Sequence, residues 1–426
     1  MSDPSDSTEA PAAPPRGAIF AIFLIVLSDL LGFGVIIPLL PFYALKYSAS
    51  ALQVGLMFSI YSACQLIASP ILGLMSDRFG RRPVLLLSQF GSVIGYVLLG
   101  YATARQWNNV SLGLAVVFLS RAIDGLSGGN ISTAQAYIAD ITTQENRAKG
   151  MGLLGAAFGL GFTFGPGIGG VLGHFHVSLP AFAAALFSLI AAIQTYLWLP
   201  ESRVHKPSEE SEVWLHPSKF KPILQNPLLV QLQLIWFVTM MAFVMLEATF
   251  ALYLNVIFGY GPSQVGYFFC FVGVIIIIVQ GGLIGRLTSK VGEWNLMIVG
   301  ALLVSAAMAM YVDVAWHRFV WLLLAAGFFN ATGRSIQGPT IQSLVSRYSS
   351  PDQQGATFGL FHMLGSLARV IGPAVATAVY ASHHTAPFAL AGAITLVVAV
   401  WTILLRARTP TEPRGFEVLP PIAETG

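Results

Sequence analysis

Apolar runs of about 20 residues, the length that crosses a bilayer as an α-helix, recur along the whole of this 426-residue chain. Only 10% of its residues are charged and 55% are hydrophobic, against about 25% charged in an ordinary soluble domain. Most of the chain therefore cannot face water. Lipid offers the backbone no hydrogen-bond partners, so a spanning segment must be a helix or part of a closed barrel. Continuous apolar runs, rather than alternation, select helices. Hydropathy gives about twelve spans, and the expected fold is an all-α membrane protein.

The spans fall into two sets of six. The expected organisation is a polar, Pro-rich N-terminal tail (1–17), a first six-helix bundle (18–199), a charged linker (200–227), a second six-helix bundle (228–407) and a polar C-terminal tail (408–426). The first tail has the composition of a disordered segment rather than of a cleavable signal peptide. Of the 22 Lys and Arg residues, only Lys46, Arg105 and Arg318 fall in the odd-numbered links. Arg121, Arg334 and Arg369 lie inside spans, and all the rest lie in or at the edges of the tails, the linker or the even-numbered links. This asymmetry predicts both termini in the cytoplasm.

The halves also resemble each other. "GLLGAAFGLGFTFGPG" in span five aligns with "GLFHMLGSLARVIGPA" in span eleven, matching Gly165-Pro166 to Gly372-Pro373. "GLMSDRFGRRP" after span two has a worn counterpart, "GRLTSKVGEWN", after span eight. Repeated halves with a site between them are an architecture of secondary transporters.

Positive-inside topology explains the basic residues of "GLMSDRFGRRP", but not the order Gly73, Asp77, Arg78, Gly80, Arg81, Arg82. That order resembles the signature loop of the major facilitator superfamily. "LSRAIDGLSGGNISTAQAYIADIT" resembles the family's Arg-bearing fourth helix. "GLGFTFGPGIGG", with Gly161, Gly165, Pro166, Gly169 and Gly170, resembles the Gly-Pro motif of its drug–proton antiporter branch. "SDLLGFGVIIPLLP" in span one and "LPESR" after span six are similar to tetracycline–proton antiporters. The likeness covers nearly all of the membrane part and is stronger in spans one to six.

The resemblance implies two pseudo-symmetric bundles rocking about a central cavity in a bacterial cytoplasmic (inner) membrane. It also implies a conformational latch in which Asp77 and Arg81 pair with an acid at the end of span four, a place that Asp140 fits. Gly73 would let helices approach closely there. Because Ser289-Lys290 stand where the second half would carry Asp-Arg, any latch there is expected to be weaker. In span five, Gly155 with Gly159, and Gly161, Gly165 and Gly169, repeat every four residues and make bare faces for tight helix packing. Pro166 removes a backbone donor.

Charges inside the spans carry the mechanism: Asp29 in span one, Arg121 and Asp124 in span four, Glu247 in span seven, Arg334 in span ten, and His362 and Arg369 in span eleven. An ionised side chain at the centre of a spanning helix costs about 2.5–3.5 kcal/mol, so these must face a cavity, pair, or bind a proton. Arg121 and Asp124 are three apart and can pair locally; alternatively, Arg121 faces Asp29. Arg334, Arg369 and His362 could bind an anionic group, pair with Glu247, or, for an arginine nearer the interface, snorkel.

Cys64 and Cys270 suit neither a disulfide framework nor a metal cage. Asn109-Val110-Ser111 matches a glycosylation acceptor, and His174, His176, His383 and His384 read as solvated loop residues. The absence of a Gly-x4-Gly-Lys loop argues against ATP as the driving force. The expected partners are a small molecule, protons and lipid, with no nucleic acid, no metal and no cofactor beyond a proton gradient, and the expected state is a monomer. Three functions stay open: a proton-coupled exporter of small lipophilic compounds, a symporter or facilitator for an organic anion, sugar or lipid, and a non-transporting membrane receptor. None of them is an enzyme.

Overall fold

A computed structural model describes residues 17–142, 144–202, 221, 223–350 and 353–409. The two expected tails and most of the expected linker lie outside the described residues. Twelve long helices carry the rest: α1 (Ala18–Leu45), α2 (Ala51–Phe79), α3 (Arg81–Ala104), α4 (Val110–Ile141), α5 (Gln144–Phe175), α6 (Leu179–Trp198), α7 (Pro227–Phe258), α8 (Pro262–Val291), α9 (Glu293–His317), α10 (Val320–Arg347), α11 (Gln354–Tyr380) and α12 (Ala386–Arg408). Eleven of them are long and apolar enough to cross a membrane. The exception, α10, is long enough at 28 residues, but Asn330, Arg334, Gln337, Thr340 and Gln342 crowd its middle and second half. A helix of that kind is sheltered by its neighbours rather than by lipid. It packs against α9 and α8, and its Asn330, Ser335, Gln337 and Thr340 are buried.

The packing repeats between halves. In the first bundle α1 packs on α5 and α6, and α3 on α4 and α6. In the second, α7 packs on α11 and α12, and α9 on α10 and α12. Gly165 brings α5 against Gly34 of α1, and its counterpart Gly372 brings α11 against Val244 of α7. The turns before α6 and α12 repeat as well. His176 Nδ1 accepts from the Ser178 amide at 3.2 Å and lies 2.7 Å from the Ser178 hydroxyl. His383 Nδ1 does the same with Thr385 at 3.3 and 2.7 Å. These histidines shape turns, and no group of His, Cys, Asp or Glu among the described residues could hold a metal ion. Asn109, the matched glycosylation acceptor, caps α4 through its side chain, which accepts from the Ser111 and Leu112 amides. Both cysteines are free and half-buried.

One face of the molecule carries the turns at Gly80 and Gly292 and the ends of α10 and α12, rich in arginine; we call it the basic face. The bundles meet chiefly along α5–α8 and α2–α11, most tightly in the half away from the basic face. There a Cβ at Gly170 would lie 2.9 Å from the Gly266 Cα, one at Gly173 would lie 2.9 Å from Pro262, and Gly55 has no room for a side chain against Thr377 and Pro373. Ser263 Oγ donates to the Gly170 carbonyl at 3.1 Å. Toward the basic face, Gly73, Gly152, Gly155, Gly281, Gly285, Gly355 and Gly359 meet nothing within 4 Å. The bundles are therefore splayed on that face, and the space between them opens there.

Candidate functional site

Splaying leaves a central cavity of about 660 Å³ between the bundles, lined by all twelve-span charges foreseen in the sequence except His362. His362 lies about two turns toward the basic face from Arg369 on the same side of α11. At that level the bundles have parted, so it is exposed and does not belong to the cavity wall.

On the first-bundle wall, Asp29 is half-buried and its Oδ2 accepts from Asn130 Nδ2 at 2.7 Å. Arg121 does not reach it. Its Nη1 donates to Asp124 Oδ2 at 3.1 Å, one turn along α4, with both side chains buried, and its guanidinium lies 5.5 Å from the Tyr96 ring centroid. Of the two readings of Arg121, the structure has the local pair. A break in α4 explains why. The helix stops at Leu126 and restarts at Asn130, across Ser127-Gly128-Gly129. Backbone freed inside a membrane needs other partners. Ser88 Oγ donates to the Ser127 carbonyl, and Gln65 Nε2 donates to the Gly128 carbonyl at 3.1 Å. The restart places Asn130 opposite Asp29. Asn130 was missed in the sequence, although the Gly-Gly pair inside a span was the signal for it.

On the second-bundle wall, Glu247 Oε2 accepts from Arg369 Nη1 at 3.3 Å. This pair joins α7 to α11. Arg334 sits at the middle of α10, stacked 4.1 Å from the Phe243 ring centroid, and Arg369 lies 5.8 Å from the same ring. Arg334 contacts the Thr239 carbonyl at 3.5 Å and the Met240 sulfur at 3.8 Å. Apolar rings of Phe33, Phe158, Phe162 and Trp236 complete the walls.

The loop between α2 and α3 is an ion-pair cluster on the basic face. Arg81 donates to Asp77 at 2.7 Å and to Asp140 at 3.0 Å, and to Ser76 Oγ at 2.7 Å. Asp77, which could have capped α3, pairs with Arg81 instead. Glu201 of "LPESR" takes the helix end, accepting from the Arg81 amide at 2.8 Å and the Arg82 amide at 3.1 Å. Arg82 lies 5.5 Å from the Tyr196 ring centroid and Arg78 5.5 Å from that of Phe79. These partners all belong to the first bundle and its exit. With the bundles apart on this face, Gly73 approaches nothing, and the cluster does not close the cavity in this state.

The second-half turn has an ion pair of its own: Glu293, just past Gly292, accepts from Arg347 at 3.2 Å and from Ser343 Oγ at 3.2 Å. In span five, Gly161, Gly165 and Gly169 pack on Leu30, Gly34 and Val35 of α1, whereas Gly170 packs on α8, and α5 continues unbroken through Pro166.

Comparison with known proteins bears on this arrangement. The profile of the Major Facilitator Superfamily matches residues 22–317 and 294–423. The tetracycline resistance protein, class B, of Escherichia coli is 32% identical over 370 residues, covering 85% of this chain and 88% of that protein. Multidrug resistance protein 2 of Bacillus subtilis is 28% identical over 384 residues, covering 88% of this chain and 93% of that protein. Among solved structures, the human organic anion transporter MFSD10 (TETRAN) superposes with a TM-score of 0.67 at 26% identity, covering 91% of this chain and all of the other. With twelve helices in two repeated bundles around a charged cavity, the chain belongs to the major facilitator superfamily and is a multi-pass membrane transporter of small molecules, not an enzyme.

Proposed function

We propose that this transporter exports small lipophilic compounds in exchange for protons, by alternating exposure of the central cavity. The observation that carries the coupling is the partnering of Asp29. A proton carrier must gain and lose its proton during the cycle. Asp124 and Glu247 are each held by an arginine, so protonating either would break an ion pair. Asp29 has no cation within 4 Å among the described residues, and its partner is a neutral amide. It can change charge without dismantling the wall around it. Likeness to tetracycline and multidrug resistance proteins supports export and the apolar substrate class.

In this reading both termini and the basic face lie in the cytoplasm of a bacterial inner membrane, and the described state faces inward. In the opposite state the bare surfaces around Gly73 and Gly155 on one bundle meet Gly281, Gly355 and Gly359 on the other. The Asp77–Arg81–Asp140 cluster then acts as the latch on the closed face. The protein works as a monomer, with the proton gradient as its energy source.

The test is reconstitution into vesicles with a fluorescent lipophilic substrate. Imposing a pH gradient should drive concentrative transport, and substrate should move against protons. Asp29→Asn should abolish accumulation driven by the gradient while the protein still binds substrate. Accumulation that survives either collapse of the gradient or Asp29→Asn would sink the coupling.

A second reading, transport of an organic anion on the same fold, draws on the arginines of the second wall. The solved relative is named an organic anion transporter.

A further inference from the structure

Two of the six charges that line the cavity have no countercharge within 4 Å among the described residues. Arg121 is offset by Asp124, and Arg369 by Glu247. Asp29 is the acid left over on one wall, and Arg334 is the base left over on the other, with no carboxylate within 4 Å among the described residues. A guanidinium in mid-membrane without an acid is costly. Arg334 cannot escape by reaching an interface, since it lies halfway along the 28-residue α10. Its acceptors are poor, a carbonyl at 3.5 Å and a thioether at 3.8 Å. Yet it is only half-buried and lines the cavity.

The surroundings are arranged as a platform. Stacking on Phe243 at 4.1 Å supports the guanidinium, and its Nη1 and Nη2 groups, the pair that could fork onto a carboxylate, meet only these two weak acceptors among the described residues. The next residue, Ser335, lines the same cavity, is 1% exposed, and its hydroxyl has no partner among the described residues. A buried hydroxyl without a partner and a cation without a carboxylate on one cavity wall are both groups that a bound acceptor would satisfy. Arg121 is no rival, because Asp124 neutralises it and it is nearly inaccessible.

We infer that Arg334, supported by Phe243 and assisted by the Ser335 hydroxyl, docks an anionic group of the transported molecule, so that the substrate is an amphipathic organic anion with a flat apolar body. The carboxylate-like end takes the fork of Arg334, and the apolar body lies against the rings of Phe33, Phe162 and Trp236. This rests on the proton-coupled transport reading above and, of the two substrate classes given there, takes the organic anion.

The experiment uses three probes of one shape: 2-naphthoate, 2-naphthamide and 2-naphthylmethylammonium. Each is titrated against the purified full chain in detergent, with thermal stability and direct binding as readouts. The carboxylate should stabilise the protein and bind more tightly than the amide and the ammonium. Arg334→Gln should weaken carboxylate binding about tenfold or more, the range of a charge-assisted hydrogen bond, and leave amide binding unchanged. Arg334→Lys keeps the charge without the fork, should lie between the two, and serves if Arg334→Gln does not fold. Preference for the ammonium overturns the inference. So does carboxylate binding unaltered in Arg334→Lys, or no carboxylate binding at its solubility limit. Proton-linked movement of amide or ammonium in vesicles, without carboxylate binding, would leave the transport reading standing and remove only this inference. Carboxylate binding that depends on Arg334, without proton-linked movement, would do the reverse.

Discussion

Gly80 and Gly292 occupy the same place in the two bundles, with backbone angles of 100° and 158° in one and 81° and 153° in the other. Each is followed by a charged residue that opens the next helix and pairs with the end of a helix in its own bundle. The signs are opposite. In the first half the helix opens on Arg81, and its partner Asp140 closes α4. In the second half the helix opens on Glu293, and its partner Arg347 closes α10. A helix N-terminus favours an anion and a C-terminus a cation. The second turn therefore agrees with both helix dipoles, and the first opposes both. The first turn sets further acids against that opposition: Glu201 places a carboxylate on the Arg81 and Arg82 amides, and Asp77 adds a second acid to Arg81. A repeated backbone thus fixes where a charge pair sits, but not its sign or the helpers it needs.

The contrast should be largest when the arginine of each turn is removed. Arg81 is 6% exposed and bonded to two acids and Ser76. Arg81→Gln leaves those acids facing each other, so it should cost about 3 kcal/mol, the low end for breaking a buried pair, because Asp77 and Asp140 are partly solvated. The Arg347 side chain is 47% exposed, and Arg347→Gln should cost under about 1 kcal/mol. Unfolding of the two purified variants in detergent checks the gap. Equal losses would mean that the two turns are equivalent despite their charges.

The glycines give a smaller separation. Both adopt positive φ, so alanine at either is strained by about 1–3 kcal/mol. A Cβ at Gly292 meets open space, whereas one at Gly80 runs into the Glu201 carboxylate and must displace it from two amides. Gly80→Ala should therefore be the more destabilising by about 1 kcal/mol, the typical loss of a helix cap. If the two substitutions cost the same in parallel unfolding measurements, Glu201 contributes nothing at the helix end.

Much of this was legible in the sequence. Twelve spans and two halves follow from hydropathy and repeat, because each rests on residue type at fixed spacing, whereas the cluster of Asp77, Arg81 and Asp140 follows only from the likeness of its loop to the family's. The second ion pair did not follow. Matching the halves looks for like residues, and Ser289-Lys290 stand where Asp-Arg would be, so a pair of reversed sign four residues on is invisible. The cavity partners were hidden for another reason. Glu247 and Arg369 are 122 positions apart, and choosing between Arg369 and Arg334 as the partner of Glu247 requires the crossing of α7, α10 and α11. Asn130 reaches Asp29 only because α4 breaks. Similarly, α10 reads as a weak span because its polar side faces the other helices and the cavity, not lipid.

The finest comparison exchanges the signs themselves. Glu293→Arg combined with Arg347→Asp would give the second turn the polarity of the first. Pairing would be kept, so Coulomb attraction alone predicts no loss beyond the exposed-pair scale. Both new charges would, however, oppose their helix dipoles at about 0.3–1 kcal/mol each. Among the described residues, no carboxylate stands at the start of α9 in the place that Glu201 takes at α3; there Arg406 reaches Asn295. The double variant should thus unfold roughly 1 kcal/mol more easily than the parent protein, and Glu201→Gln in the first half should cost a similar amount. High salt should narrow the deficit of the double variant, since charge–dipole terms at exposed helix ends are screened. A double variant as stable as the parent would show that the reversed signs are interchangeable. Glu201 would then cap α3 for some reason other than offsetting Arg81.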